Sequence, residues 1–195
     1  WDDVLPLFKR QEDNVRGASS HHGVGGPLKV ADLQQPHPVA EAFIKAAVAC
    51  GHAHNPDING PQIEGFGFVQ ATQVKGWRCS SARAFVDPVR GRPNLTISSR
   101  STARRIRIAD GRAVGLDVSI GGRPCSLTVA GEIIVSCGAI ASPQLLMLSG
   151  IGDPDELRPQ GIEVRVARPE VGRNLQDHPG LGMTYAVGVP TYNSE

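Results

Sequence analysis

Glu132-Ile133-Ile134-Val135-Ser136-Cys137-Gly138-Ala139-Ile140-Ala141-Ser142-Pro143-Gln144-Leu145-Leu146-Met147-Leu148-Ser149-Gly150 is the stretch whose reading decides the fold class. Its first six residues are a β-branched run of the kind buried on both faces in a parallel sheet. Small residues follow, and then a helical segment. Ser142 is placed as its N-cap, Pro143 suits the first helical position, and Gly150 is placed to end it. Strand, tight turn and helix in this order predict an α/β fold. On spacing alone the stretch reads as a plain β-α packing unit. The alternative is a ligand junction, because doubly wound folds place ligands between a strand's carboxyl end and a helix N-terminus.

Downstream, Asp153-Pro154 starts a second short helix that is limited by Pro159 and stopped by Gly161, and 162–167 alternates as a strand. Val171-Gly172-Arg173-Asn174-Leu175-Gln176-Asp177-His178-Pro179 closes as a fixed loop. Adjacent Asp177 and His178 point their side chains apart in most backbones, so they do not read as a catalytic pair. Upstream, 94–98, 103–108, 113–120 and 126–129 are strand candidates, with hairpin turns at Asp110-Gly111 and Gly121-Gly122, which predicts a β-meander. Before it, Ser80–Val86 reads as a short helix with a serine cap, ended by Asp87-Pro88.

The first 75 residues are rich in turns. Trp1, Val4, Leu5 and Phe8 keep a helical spacing, and Val39, Phe43, Ala46, Ala47 and Cys50 form a helical face that Gly51 terminates. Gly65-Phe66-Gly67-Phe68-Val69 resembles a short strand whose glycines permit another backbone to come close.

Composition removes several functions. The chain has 195 residues, with 20 Lys+Arg against 19 Asp+Glu, and lacks the basic excess of a protein that neutralises phosphates. Arg100, Arg104, Arg105 and Arg107 have no interleaved aromatics and read as strand or edge charges, so no nucleic-acid partner is expected. Cys50, Cys79, Cys125 and Cys137 form no C-x-x-C, and no acidic or thiol cluster accompanies the histidines at ligand spacing, so neither a disulfide nor a metal site is expected. No apolar run is long enough to span a bilayer, and the start lacks the pattern of a signal peptide. The absence of Met at position 1 suggests a cut from a longer chain, with a cytoplasmic setting expected and peripheral membrane attachment of the parent left open.

At Gly138–Gly152 the sequence resembles the second signature of the glucose-methanol-choline oxidoreductases, flavoenzymes that bind FAD and oxidise alcohols. Ser80-Ser81-Ala82, Asn94-Leu95-Thr96-Ile97, Gly111–Gly115 and Val171–Pro179 resemble that family's other blocks in its own order. The resemblance implies part of a Rossmann-like FAD-binding domain with a β-meander over 76–178. It implies parts of an α+β substrate-binding domain over 1–75 and 179–195. It places the adenosine half of FAD near the backbone of Ala103 and near Ser136, Cys137, Gly138 and Ala139. Small residues there let a cofactor approach backbone donors.

The partners implied are a small alcohol and an electron acceptor, oxygen or a quinone. No G-x-G-x-x-G occurs, and the family's catalytic His lies near the far C-terminus of its members, so no catalytic residue is assigned. The choline-oxidising branch carries a Glu two residues beyond the His of Asp177-His178, where Gly180 stands here. That departure implies a neutral primary or aryl alcohol rather than choline. Two other readings remain: a relative that cleaves cyanohydrins with FAD in a structural role, and a nucleotide-binding fragment without catalysis.

Overall fold

The computed structural model describes residues Trp1–Thr191. The chain divides into two compact units: Trp1–Thr96 with the chain from Ala186 onward, and Ile97–Tyr185. Mixed helices and small sheets make it an α/β chain, and among the described residues no helix is long and apolar enough to cross a membrane.

In the first unit, helix α1 (Leu5–Gln11) runs into strand β1 (Glu12–Asn14), which pairs in parallel with β2 (Leu28–Val30). Helix α2 (Pro38–Ala49) begins where the His37 ring accepts the Val39 amide, and it ends at Cys50 before Gly51, where the sequence placed its stop. Two-residue strands β3 (Gln73–Val74) and β4 (Trp77–Arg78) pair antiparallel. The Ser-rich segment forms one wide helical turn over Ala82–Val86, followed by a 3-10 turn over Asp87–Val89. Its capping contact comes from Ser80, whose Oγ accepts the Arg83 amide, and not from Ser81.

The second unit contains the expected meander, β5 (Ser101–Ala109), β6 (Arg112–Ile120) and β7 (Arg123–Thr128), in antiparallel order β5-β6-β7. Asp110 and Gly111 both have positive φ, 48° and 73°, the geometry a two-residue hairpin needs to match strand twist. Arg107 reaches from β5 across β6 at Gly115 and donates to the Leu127 carbonyl on β7, so this arginine ties the sheet together. Residues 94–98 form no strand.

After the meander come α3 (Gly138–Leu148), β8 (Ile151–Gly152), α4 (Pro154–Leu157), a 3-10 turn at Arg158–Gln160, and β9 (Val166–Ala167) parallel to β8. Asp153 caps α4 through the Asp155 amide, as its sequence position implied. Two expectations for the deciding stretch are corrected. Residues 132–136 form no strand and pair with no other strand among the described residues, and Ile134 is 83% exposed, because a strand gains ladder bonds and burial only from neighbours on each side. The helix starts at Gly138 rather than at Pro143, which lies inside it. Ser142 is therefore not the N-cap residue; it works from within the first turns, as described below.

Gly67 shows the close approach foreseen for this glycine-rich run. His54 and Phe66 form a parallel bridge, and a Cβ at Gly67 would overlap the Asn55 carbonyl. Gly67→Ala is expected to destabilise the first unit by about 2–4 kcal/mol, since backbone must move to admit the methyl group. Gly91→Ala, in open space, is expected to change little. Thermal melts of the two variants side by side check this, and equal melting temperatures would contradict it.

Candidate functional site

The residues singled out in the sequence lie at two places in the second unit. Ser136, Cys137, Gly138 and Ala139 lead into and open α3 and are exposed, while Ala103 is a half-buried residue of β5 paired with Val118. A helix leaves its first four N–H groups without partners in the helix. At α3 the Cys137 amide is taken by Ser142 Oγ at 3.0 Å, while the amides of the first helical turn have no partner within the helix and are flanked by Gly138 and Ala139. Gly138 has φ 86°, and a Cβ there would meet nothing, so space lies open beside the backbone. Pro143 has no N–H, so the Ala139 carbonyl lacks its helical donor. Unpaired backbone donors, one unpaired acceptor and no bulky side chain suit the edge-on recognition of a nucleotide. The chain's residues here fit such a group.

Beyond α3 lies a groove of about 860 Å³ whose lining includes Ala139, Ile140, Met147, Leu157, Arg173 and Leu175. The Val171–Pro179 segment is anchored on one side of it. Arg173 Nη2 donates to Asp153 Oδ2 at 2.6 Å and to Glu156 Oε1 at 3.3 Å, so Asp153 caps α4 with one oxygen and holds the loop with the other. Asp177 Oδ1 accepts the His178 amide at 2.8 Å, and both side chains are exposed.

Sequence reasoning missed a buried polar cluster in the first unit. His22, 8% exposed, places Nδ1 3.0 Å from Glu12 Oε1 and Nε2 3.0 Å from Asp57 Oδ2. Asn14, 3% exposed, bonds Glu12 and Gln70, each at 2.9 Å, and Gln70 continues to Asp32, which pairs with Arg16. The cluster joins segments separated by up to 56 residues, a separation that no periodicity reveals. Burial disfavours the His22 imidazolium, but the bonds and charges of Glu12 and Asp57 outweigh it and raise the pKa. Burial likewise opposes ionisation of Glu12, yet bonds from the Gly23 amide, Asn14 and His22 hold its carboxyl below the usual range. Glu12 and His22 also line an apolar-walled cavity of about 700 Å³ with Phe8, Leu28 and Ile63. Among the described residues no group of His, Cys, Asp and Glu is arranged to hold a metal ion.

With this geometry in place, the class is that of an α/β nucleotide-cofactor domain segment, and comparison with known proteins makes it specific. The pattern of the GMC oxidoreductase family matches residues 1–180, and the chain belongs to that family, whose members are FAD-dependent flavoproteins. It is 42% identical over 181 residues to an alcohol dehydrogenase [acceptor] of Pseudomonas putida, covering 91% of this chain and 33% of that protein. It is 43% identical over 178 residues to an oxygen-dependent choline dehydrogenase of Sinorhizobium fredii, covering 91% of this chain and 32% of that one. The crystal structure of pyridoxine 4-oxidase from Mesorbium loti superposes with a TM-score of 0.86 at 35% identity, over 91% of this chain and 35% of that chain. The chain thus spans about a third of the length of the relatives it matches.

The His22 cluster fixes a pH dependence. Because the folded His22 pKa is raised, its stabilisation is fully present below the ordinary imidazole value and is lost as pH rises through the raised value. Because that of Glu12 is lowered, its stabilisation is present above the ordinary carboxyl value and is lost as pH falls through the lowered one. Stability of the first unit should therefore plateau between the two and decline on either side. His22→Gln is expected to lower stability by about 1–3 kcal/mol on the plateau and to flatten the alkaline decline. Melts from about pH 4 to 9 test this, and parallel curves for the two proteins would contradict it.

Proposed function

We propose that this chain is a segment of an FAD-dependent oxidoreductase that oxidises the CH–OH group of an alcohol, and that its own part is to hold the adenosine half of FAD. The observation that carries the reading is the family match along residues 1–180, joined to relatives named for alcohol and choline dehydrogenation. Backbone at Ala103, Ser136, Cys137, Gly138 and Ala139 would meet the nucleotide. The helix amides at 138–140 would donate hydrogen bonds, and the small side chains would keep the approach clear. We assign 76–178 to the FAD-binding part and 1–75 with 179–195 to the substrate-binding part. When bound, the flavin supplies the redox chemistry by accepting hydride at N5. The chain contributes position and backbone donors and no catalytic residue, so the 195 residues alone are expected to be inert. The electron acceptor is oxygen or a quinone, and the four unpaired cysteines favour a reducing, cytoplasmic setting.

Gly180 narrows the substrate. A Cβ there meets nothing, so a side chain is admissible, yet the position offers no carboxylate to a quaternary ammonium group. An unpaired cation in a dry pocket is costly, which favours a neutral primary or aryl alcohol.

Two measurements on the intact protein test the reading. Its visible spectrum should show bound oxidised flavin that bleaches anaerobically on adding a primary or aryl alcohol, whereas a flavin that never bleaches with any alcohol would overturn the redox assignment. In the intact protein, Gly180→Glu should raise kcat/KM for choline by about tenfold, as an opposite charge placed beside a bound cation does. Efficient choline oxidation by the unsubstituted protein would overturn the preference for a neutral alcohol. The 195-residue chain incubated with FAD and desalted is expected to be colourless.

A further inference from the structure

Ser149 is 1% exposed, and both of its hydrogen-bonding roles are filled. Its Oγ donates to the Leu145 carbonyl at 2.6 Å and accepts the Ile106 amide at 2.8 Å. Strand β5 is the outer strand of the meander, so the Ile106 amide has no strand to bond on that side, and the serine supplies the acceptor. The bond is made within a stretch where the β5-β6 register slips, between Ala103 and Arg105 and again between Arg107 and Ile108. A strand with two irregularities is not held in place by its ladder alone. The carboxyl end of α3 is thereby fixed to β5 three residues from Ala103.

The opposite end of α3 carries a second hydroxyl contact. Ser142 Oγ accepts the Cys137 amide at 3.0 Å, which fixes the backbone just ahead of Gly138. The two serines are seven residues apart, so they stand about two turns and ~10 Å apart on nearly the same helix face. Buried Leu145 lies between them on that face. The helix therefore acts as a spacer between two hydroxyl contacts, the one from Ser142 reaching back to the segment ahead of Gly138 and the one from Ser149 reaching β5. The Cys137 amide stands ahead of the first helical residue and has no acceptor within the helix, so the Ser142 hydroxyl satisfies a donor the helix leaves over.

We propose that Ser142 and Ser149 are positioning residues for the adenosine half of the cofactor, acting through the backbone of Cys137 and of β5 and touching no ligand themselves. The inference rests on the function proposed above. If it holds, removing the Ser142 hydroxyl frees the Cys137 amide and lets segment 136–139 drift, with a cost paid in nucleotide affinity more than in folding, because Ser142 is only half-buried. Removing the Ser149 hydroxyl loosens β5 and also lowers stability, since the Ile106 amide is left buried and unpaired.

The test uses the intact flavoprotein stripped of its cofactor, with FAD and ADP as probes. Ser142→Ala is expected to weaken FAD binding about tenfold with a nearly unchanged melting temperature, and Ser142→Thr, which keeps the hydroxyl, to restore it. ADP, which carries only the adenosine half, should lose potency as a competitor of FAD rebinding by the same factor. Ser149→Ala is expected to weaken both probes and to lower Tm. Unchanged FAD affinity in Ser142→Ala, or weakened FAD affinity with ADP potency unaltered, would overturn the inference even if Ser149→Ala failed to fold. An unsubstituted protein that binds no FAD would instead bring down the proposed function itself.

Discussion

One hydroxyl organises the second unit. Ser149 closes the end of α3 by donating to its own helix, and by accepting the Ile106 amide it covers the open edge of the meander. Helix and sheet need such a tie, because few apolar side chains of this unit are buried: Ile106, Val118, Leu145 and Leu157. With so small an apolar core, a buried and fully satisfied hydrogen bond decides where the helix sits, since any shift leaves a desolvated amide without a partner at about 1–3 kcal/mol. β8 and β9, α4 and the Arg173 clamp are all built onto the end of α3 that this serine fixes.

The first unit obeys the same economy with charged groups. Its buried residues include the polar Asn14, His22 and Asn55, while the buried apolar ones are the small Cys79 and Ala84. An imidazole placed between two carboxylates gives each of them a donor, and their charges offset its burial, so the cluster holds where a single buried charge would not. Such a network favours one arrangement of loops over its alternatives, because a half-made version is worse than none.

Local chemistry made the meander, both of its two-residue turns, α2 with its glycine stop and the Asp153 cap legible in the sequence, since each depends on residues a few positions apart. Residues 132–136 misled because a β-branched run states a preference for burial, while burial itself requires neighbours that these residues do not have in the structure. Ser142 misled in a related way. Serine before proline is the usual start of a helix, but here the chain turns at Gly138 with φ 86° and begins one turn and more earlier. The candidate nucleotide residues were reached through resemblance and not through spacing. Of the contacts nearby, Ser142 to Cys137 depends on where the helix begins, which the serine-proline pair misstated, and Ser149 to Ile106 joins residues 43 apart.

Near-equal identity to an alcohol dehydrogenase and to a choline dehydrogenase follows from this architecture. In this chain the hairpin turns, the small residues opening α3 and the loop anchored by Arg173 build a scaffold that carries no preference for one alcohol. Choice of alcohol depends on a few side chains near the reacting carbon, and a single carboxylate decides whether a quaternary cation is tolerated in a dry pocket. Overall identity averages over scaffold positions and so cannot separate the two substrates.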